Sequence, residues 1–174
     1  MDEAAEREFA EYFRARKDAV RRTAFLLCGD WHRADDHAQS AFVALHRHWR
    51  RIRDRDALDA WVRRTLVRAV VDESRRPWRR ERATEALPPP PAPAAADAAT
   101  DAVATRQTLV DGLRAVPPRQ RAVLVLRYLE GLDVAGTAAA LGCSTGTVKS
   151  QTAHGLAALR AALGDTLDDL RPTG

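Results

Sequence analysis

The sequence predicts an all-α protein of two small helical domains joined by a Pro/Ala-rich linker, the second domain carrying a helix-turn-helix. Three observations predict it. Apolar residues recur three and four positions apart with no competing alternation. One run, LPPPPAPAAADAA from Leu87 to Ala99, divides the chain. The stretch VAGTAAALGCSTGTVKSQTA, Val134 to Ala153, sets a small residue, a glycine and an apolar residue where two crossing helices need them.

Three amphipathic helices account for the first half. Their apolar stripes are Phe9, Phe13, Val20, Ala24 and Leu27; then Ala38, Ala41, Phe42, Leu45 and Trp49; then Leu58, Trp61, Val62, Leu66 and Ala69. Breaks fall at Gly29-Asp30 and around Ile52 to Asp56, where glycine and polar residues interrupt the period. The linker follows. Prolines at 88, 89, 90, 91 and 93 forbid a helix at its start, and nothing large is there to bury. The expected division is residues 1–83, a flexible linker over 84–103, and residues 104–174, with the two halves folding as independent domains. Extended at about 3.1 Å per residue, the linker would reach roughly 60 Å, or about 18 base pairs of duplex at ~3.4 Å each.

In the second half, Leu109, Leu113 and Val116 lead to the breaker Pro117-Pro118; a further helix carries Ala122, Leu126 and Leu129, and Gly131 stops it. The helix-turn-helix comes next. Ala138 must be small because the second helix crosses above it, Gly142 tolerates a left-handed turn, and Val148 plugs the shared core. Ser144 is a suitable N-cap. An inner face of Val148, Thr152, Leu156, Leu159 and Leu163 leaves Thr145, Gly146, Thr147, Lys149, Ser150 and His154 as candidates to enter a DNA major groove. The competing reading is an ordinary helical hairpin whose glycine and serine serve the turn alone.

Charge supports a polyanionic partner. The chain of 174 residues has 28 Lys+Arg against 24 Asp+Glu, a net charge of +4. The excess is divided: +5 over residues 1–83, −3 over 84–103 and +2 over 104–174. Its densest part is Arg75, Arg76, Arg79, Arg80 and Arg82 around Trp78, extended backwards by Arg63, Arg64 and Arg68 along the polar side of the preceding helix. A charge run is commonly a solvated face, but arginines flanking an aromatic suit phosphate contact and base stacking. Trp61 and Trp78 are the stacking candidates, and Trp61, on the apolar stripe, reads more readily as core.

Other chemistries find little. Cys28 and Cys143 lie far apart and lack any C-x-x-C spacing, which supports neither a disulfide framework nor a zinc site and fits a reducing cytosol. His32, Asp35, Asp36, His37, His46 and His48 invite a metal reading, but they spread around their helix and no H-E-x-x-H occurs. G-x-S-x-G, the P-loop and the glycine-rich dinucleotide turn are absent as well. The expectation is therefore no catalytic residue, no cofactor and no small-molecule substrate. An acidic, amphipathic N-terminus and the lack of any bilayer-length apolar run imply no membrane insertion and a cytoplasmic location.

Both halves resemble the extracytoplasmic-function sigma factors of the sigma-70 family, especially the actinobacterial SigE-like group. The first half is similar to that family's region 2 through FRARKDAVRRTAFLLCGD (Phe13 to Asp30), ADDHAQSAF (Ala34 to Phe42) and the run from HRHWRRI to AWVRRTLVRAVVDESRR (His46 to Arg76). The second is similar to region 4 through LRAVPPRQRAVLVLRYLEGL (Leu113 to Leu132) and LGCSTGTVKSQTAHGLAALR (Leu141 to Arg160). The resemblance implies a factor that carries core RNA polymerase to promoter DNA, touching the polymerase at the β′ clamp helices and the β flap. It places Asp36, Gln39 and Phe42 at the clamp. It places Arg53 to Arg76 where the family captures and melts the −10 element, with Arg75, Arg76, Arg79 and Arg80 on phosphates. Lys149 and its neighbours would read the −35 element. An anti-sigma factor is compatible with such a family. Three residues depart from its pattern: Ser40 replaces a frequent acidic residue, Arg68 a common Asn, and His154 a frequent Arg. They bear respectively on polymerase binding, −10 preference and −35 phosphate contacts.

Two other readings stand beside this one. A free-standing helix-turn-helix regulator would need a dimerisation helix and a ligand pocket or receiver domain, which the sequence does not show. A nucleic-acid-processing enzyme with a basic arm would need a catalytic constellation.

Overall fold

The computed structural model describes residues 2–76 and 99–164, and for residues 99–101 the helical backbone alone. Every regular element among them is helical. Helix α1 spans Glu3–Cys28, its first turn closed by Asp2, which accepts from the Ala5 amide at 2.9 Å. Gly29, at φ 74°, ends it in the left-handed region and donates to the Phe25 carbonyl. The next residue starts another helix: Asp30 accepts from the Arg33 amide at 2.8 Å and caps α2, Trp31–His48. The Gly-Asp pair is thus a C-cap followed at once by an N-cap. A 3₁₀ turn at Trp49–Arg51 leads to α3, Leu58–Ser74.

Helix α4 spans Ala99–Ala115, so it begins inside the stretch expected to be linker. Its first residues, Ala99 to Val103, hold neither Pro nor Gly and can continue a helix that the prolines upstream cannot. The Pro run itself lies outside the described residues. Helix α5, Pro118–Leu124, opens with proline in its first turn, where the missing amide costs no hydrogen bond. It widens into a π-helical turn at Val125–Leu129. Helices α6 (Val134–Leu141) and α7 (Thr145–Leu163) form the helix-turn-helix, capped by Asp133 on the Gly136 amide and Ser144 on the Thr147 amide.

In the first half, Leu27, Leu45, Trp49, Val62, Leu66 and Val67 are almost fully buried. Val116, Val125 and Leu126 of the second half join the same core, although the sequence suggests independent halves. Polar contacts reinforce the join. Arg121, itself buried, donates from Nη1 to the Leu27 carbonyl at 3.0 Å and from Nη2 to those of Arg114 and Val116, both at 2.9 Å. Arg114 Nε donates to the Gly29 carbonyl at 2.8 Å. Carbonyls at a helix C-terminus have no partner within the helix, and here arginines from the other half supply one. Glu130 completes the seam, accepting from Thr23 Oγ1 at 2.6 Å and from Arg63 Nε at 3.2 Å.

Candidate nucleic-acid interface

The helix-turn-helix is built as its spacing requires. Gly142 sits at φ 65°, ψ 42°, a conformation a side chain with Cβ resists. Ala138, Val148 and Val123 pack into a small core of their own, with Val148 wholly buried. Fixing Val148 inward turns the opposite side of α7 outward: Thr145, Gly146, Lys149, Ser150 and His154 are exposed, and Thr147 is half-buried beside the Ser144 hydroxyl. The sequence did not reveal Gly155, which is buried. A Cβ there would lie 3.1 Å from Leu124 and 3.3 Å from the Gln120 carbonyl, so α7 crosses α5 closely enough that any larger residue would push its neighbours back by a few tenths of an ångström.

The second candidate surface is α3. Arg64 and Arg68 are exposed, as are Arg75 and Arg76 just beyond the helix. Trp61 is half-buried, its ring 5.7 Å from that of His48. It therefore joins the edge of the core while keeping one side accessible. Arg63 differs from its neighbours in being held by Glu130 of the other half, and the Arg68 guanidinium lies against Gly142 in the turn of the helix-turn-helix. Trp78, Arg79 and Arg80 lie outside the described residues.

On α2, Asp36 and Gln39 are exposed. Phe42 is not: it is 5 % exposed, its ring edge-on to Phe13 at 4.9 Å. Its place on the apolar stripe with Ala38, Ala41 and Leu45 puts it in the core, as the periodicity predicts, and it reaches the surface only as part of the lining of the groove described next. On α1 and α2 the large apolar groups that reach solvent most are Phe13 and Val43, 38 % and 43 % exposed. With Phe9, Gln39 and the stem of Lys17 they line a groove of about 560 Å³ between α1 and α2. Val43 went unnoticed in the sequence because it stands next to a core position, and helical periodicity alone assigns such residues to the polar face.

The suspected metal ligands do not converge. Arg21 ion-pairs with Asp35 and holds its carboxyl below the usual range. His37 pairs with Glu73, and His46 lies 3.5 Å from Glu6. Among the described residues no three His, Cys, Asp or Glu side chains gather into a cation site. Burial raises the Cys28 thiol pKa, which disfavours the nucleophilic thiolate. No described helix is long and apolar enough to cross a membrane.

Comparison with known proteins bears on both surfaces. The model of Sigma-70 region 2 matches residues 12–80, and that of Sigma-70, region 4 matches residues 106–159. The RNA polymerase sigma-E factor of Streptomyces avermitilis is 41% identical over 157 residues, covering 90% of this chain and 85% of the relative. The ECF RNA polymerase sigma factor SigM of Mycobacterium tuberculosis is 33% identical over 156 residues, covering 90% and 77%. The chain belongs to the extracytoplasmic-function sigma factors of the sigma-70 family. It acts in transcription initiation, with core RNA polymerase and promoter DNA as its partners. In this sigma factor the region 2 match runs from Tyr12 in α1 past the end of α3, and the region 4 match runs from Arg106 in α4 to Leu159 in α7. The fold is shared with a solved structure, the sigma factor RpoE of Bartonella quintana in complex with the anti-sigma factor NepR. That likeness has a TM-score of 0.70 at 20% identity and covers 90% of this chain and 96% of that one.

Proposed function

We propose that this sigma factor divides its work at the Pro-rich stretch: residues 1–83 dock on core polymerase and capture the −10 element, residues 84–103 connect, and residues 104–174 read the −35 element. The observation that carries this is the outward face of α7, where Lys149 and its polar neighbours stand opposite a fully buried Val148, the geometry a major groove accepts. Arg64, Arg68, Arg75 and Arg76 supply phosphate contacts for −10 capture, continued by Arg79 and Arg80, and Trp61 offers a stacking edge. Asp36 and Gln39 beside the α1–α2 groove form the clamp-facing surface, with Phe42 supporting its floor. The protein works in the cytoplasm without a catalytic centre of its own, and an anti-sigma factor is a fitting partner.

The packed arrangement has a consequence for this reading. Helix α3 lies against α6, and Glu130 occupies Arg63, so the helix assigned to the −10 element is packed against the domain assigned to the −35 element. Two promoter elements separated along a duplex are engaged together only after the halves part.

The test compares protein alone, core alone and both on one promoter, by mobility shift and permanganate footprint. A helix-turn-helix with a single Lys in its reading turns makes few phosphate contacts, so the free protein is expected to bind close to non-specifically. With core it is expected to open the −10 region, and Asp36→Arg to abolish that. Tight sequence-specific binding by the protein alone, without unpaired thymines and without an effect of core, would instead identify a free-standing regulator.

Lys149→Ala is expected to weaken −35-dependent initiation by about 1–3 kcal/mol if the contact is bidentate to a base, measured as the ratio of transcription from promoters with and without an intact −35 element. An equal loss on both would reassign Lys149 to phosphate, and no loss would remove it from the interface.

A further inference from the structure

The loop between α2 and α3 carries Arg50, Arg51, Arg53 and Arg55 within six residues, and like charges so close repel one another and favour an open, mobile loop. Three of the four are exposed. Arg55 is turned inward. Its Nε and Nη2 donate to the two carboxylate oxygens of Glu8 on α1, each at 2.9 Å. Its Nη1 donates to the Trp49 carbonyl at 3.0 Å and to the Ile52 carbonyl at 2.7 Å. Its guanidinium lies over the Trp49 indole, 4.3 Å from the ring centroid. Trp49 is 1 % exposed, so the side chain is fastened to a buried residue of the core.

From this geometry we infer that Arg55 is a positioning residue for −10 capture: it clamps the α2–α3 loop to α1 and holds Arg51 and Arg53 in place without touching DNA itself. The inference rests on the −10 reading above. Its physical basis is commitment of donors. A bidentate carboxylate and two loop carbonyls use all three guanidinium nitrogens in a fork that lysine cannot reproduce, and a phosphate would have to displace Glu8. A second tie holds the start of α3 to the same helix: Tyr12 donates to Asp59 at 2.9 Å, and Arg16 pairs with Asp59 at 2.7 Å. The α3 end of the loop is therefore anchored to α1 at Arg55 and at Asp59, while Arg55 also holds the carbonyls of Trp49 and Ile52, and the exposed arginines between are presented with less entropy left to lose at the moment of binding.

The experiment uses the full chain as holoenzyme on a duplex promoter, with Arg55→Lys, Glu8→Gln and Arg53→Ala beside wild type. Opening rate is read by permanganate, the salt slope of promoter binding by titration, and folding by thermal melt. For Arg55→Lys and Glu8→Gln the expected result is folded protein, unchanged affinity for core, and opening slowed by about tenfold or more, as small misplacements of a working group do. Their salt slope stays at the wild-type value, because no phosphate contact is lost. Arg53→Ala lowers that slope by about one. Wild-type opening in Arg55→Lys overturns the inference. So does a slope lowered by one, which makes Arg55 a direct contact. Slowing that merely tracks the unfolded fraction overturns it too. A wild-type holoenzyme that opens no promoter overturns the −10 reading on which it rests.

Discussion

Trp49→Ala is expected to destabilise the protein by about 3–5 kcal/mol, the range for emptying a buried aromatic site. Trp49 meets Phe9 edge-on at 5.2 Å, Tyr12 at 5.9 Å and the Arg55 guanidinium from above. These groups come from α1 and the α2–α3 loop, so no single side-chain shift can refill the space. A domain holds only about 5–15 kcal/mol in all, so the loss would take much of its stability. Urea unfolding followed by circular dichroism measures it. A loss below about 1 kcal/mol would mean that the three neighbours collapse onto the vacancy and that Trp49 is not the keystone its burial suggests.

Arg121→Met is expected to split one cooperative unfolding transition into two. The wild-type side chain is 8 % exposed and bonds the carbonyls of Leu27, Arg114 and Val116, so it bridges the end of α1 to the end of α4. Burial pushes its pKa down to about 10, with the nearby Arg33 and Arg114 acting in the same direction, yet it stays charged at neutral pH. Methionine fills similar space but leaves three buried acceptors without a donor, and relief of the guanidinium's desolvation only partly offsets that. A net loss of about 2–4 kcal/mol follows. The Leu27 bond is the part that crosses the seam, and the bonds to Arg114 and Val116 tie α5 to the end of α4 within the second half. Scanning calorimetry should resolve two endotherms where wild type shows one. A single endotherm at an unchanged midpoint would show that apolar contacts alone hold the seam.

What the sequence by itself determined is whatever depends on residues within a turn or two of each other. Gly29-Asp30 marks the end of one helix and the start of the next because a left-handed C-cap and a side-chain N-cap are both local chemistry. Ala138, Gly142, Ser144 and Val148 announce the helix-turn-helix for the same reason, and once Val148 is buried the 3.6-residue period leaves Lys149 and Ser150 outside. The reach of α4 back to Ala99 was obscured by the prolines upstream, whose effect stops within a few residues.

Only the tertiary structure decided which surfaces meet. The Thr23–Glu130 bond joins residues 107 apart, and Arg121 reaches a carbonyl 94 residues away. Nothing in the local pattern distinguishes Arg121 or Arg55 from arginines that face solvent, because a guanidinium's role depends on the acceptors that distant segments bring to it. Val43 shows the converse: its place beside a core position suggested the polar face, yet it lines an apolar groove that only the packing of α1 against α2 creates. Periodicity says which face of a helix is apolar, whereas burial also depends on the helix that arrives to cover it.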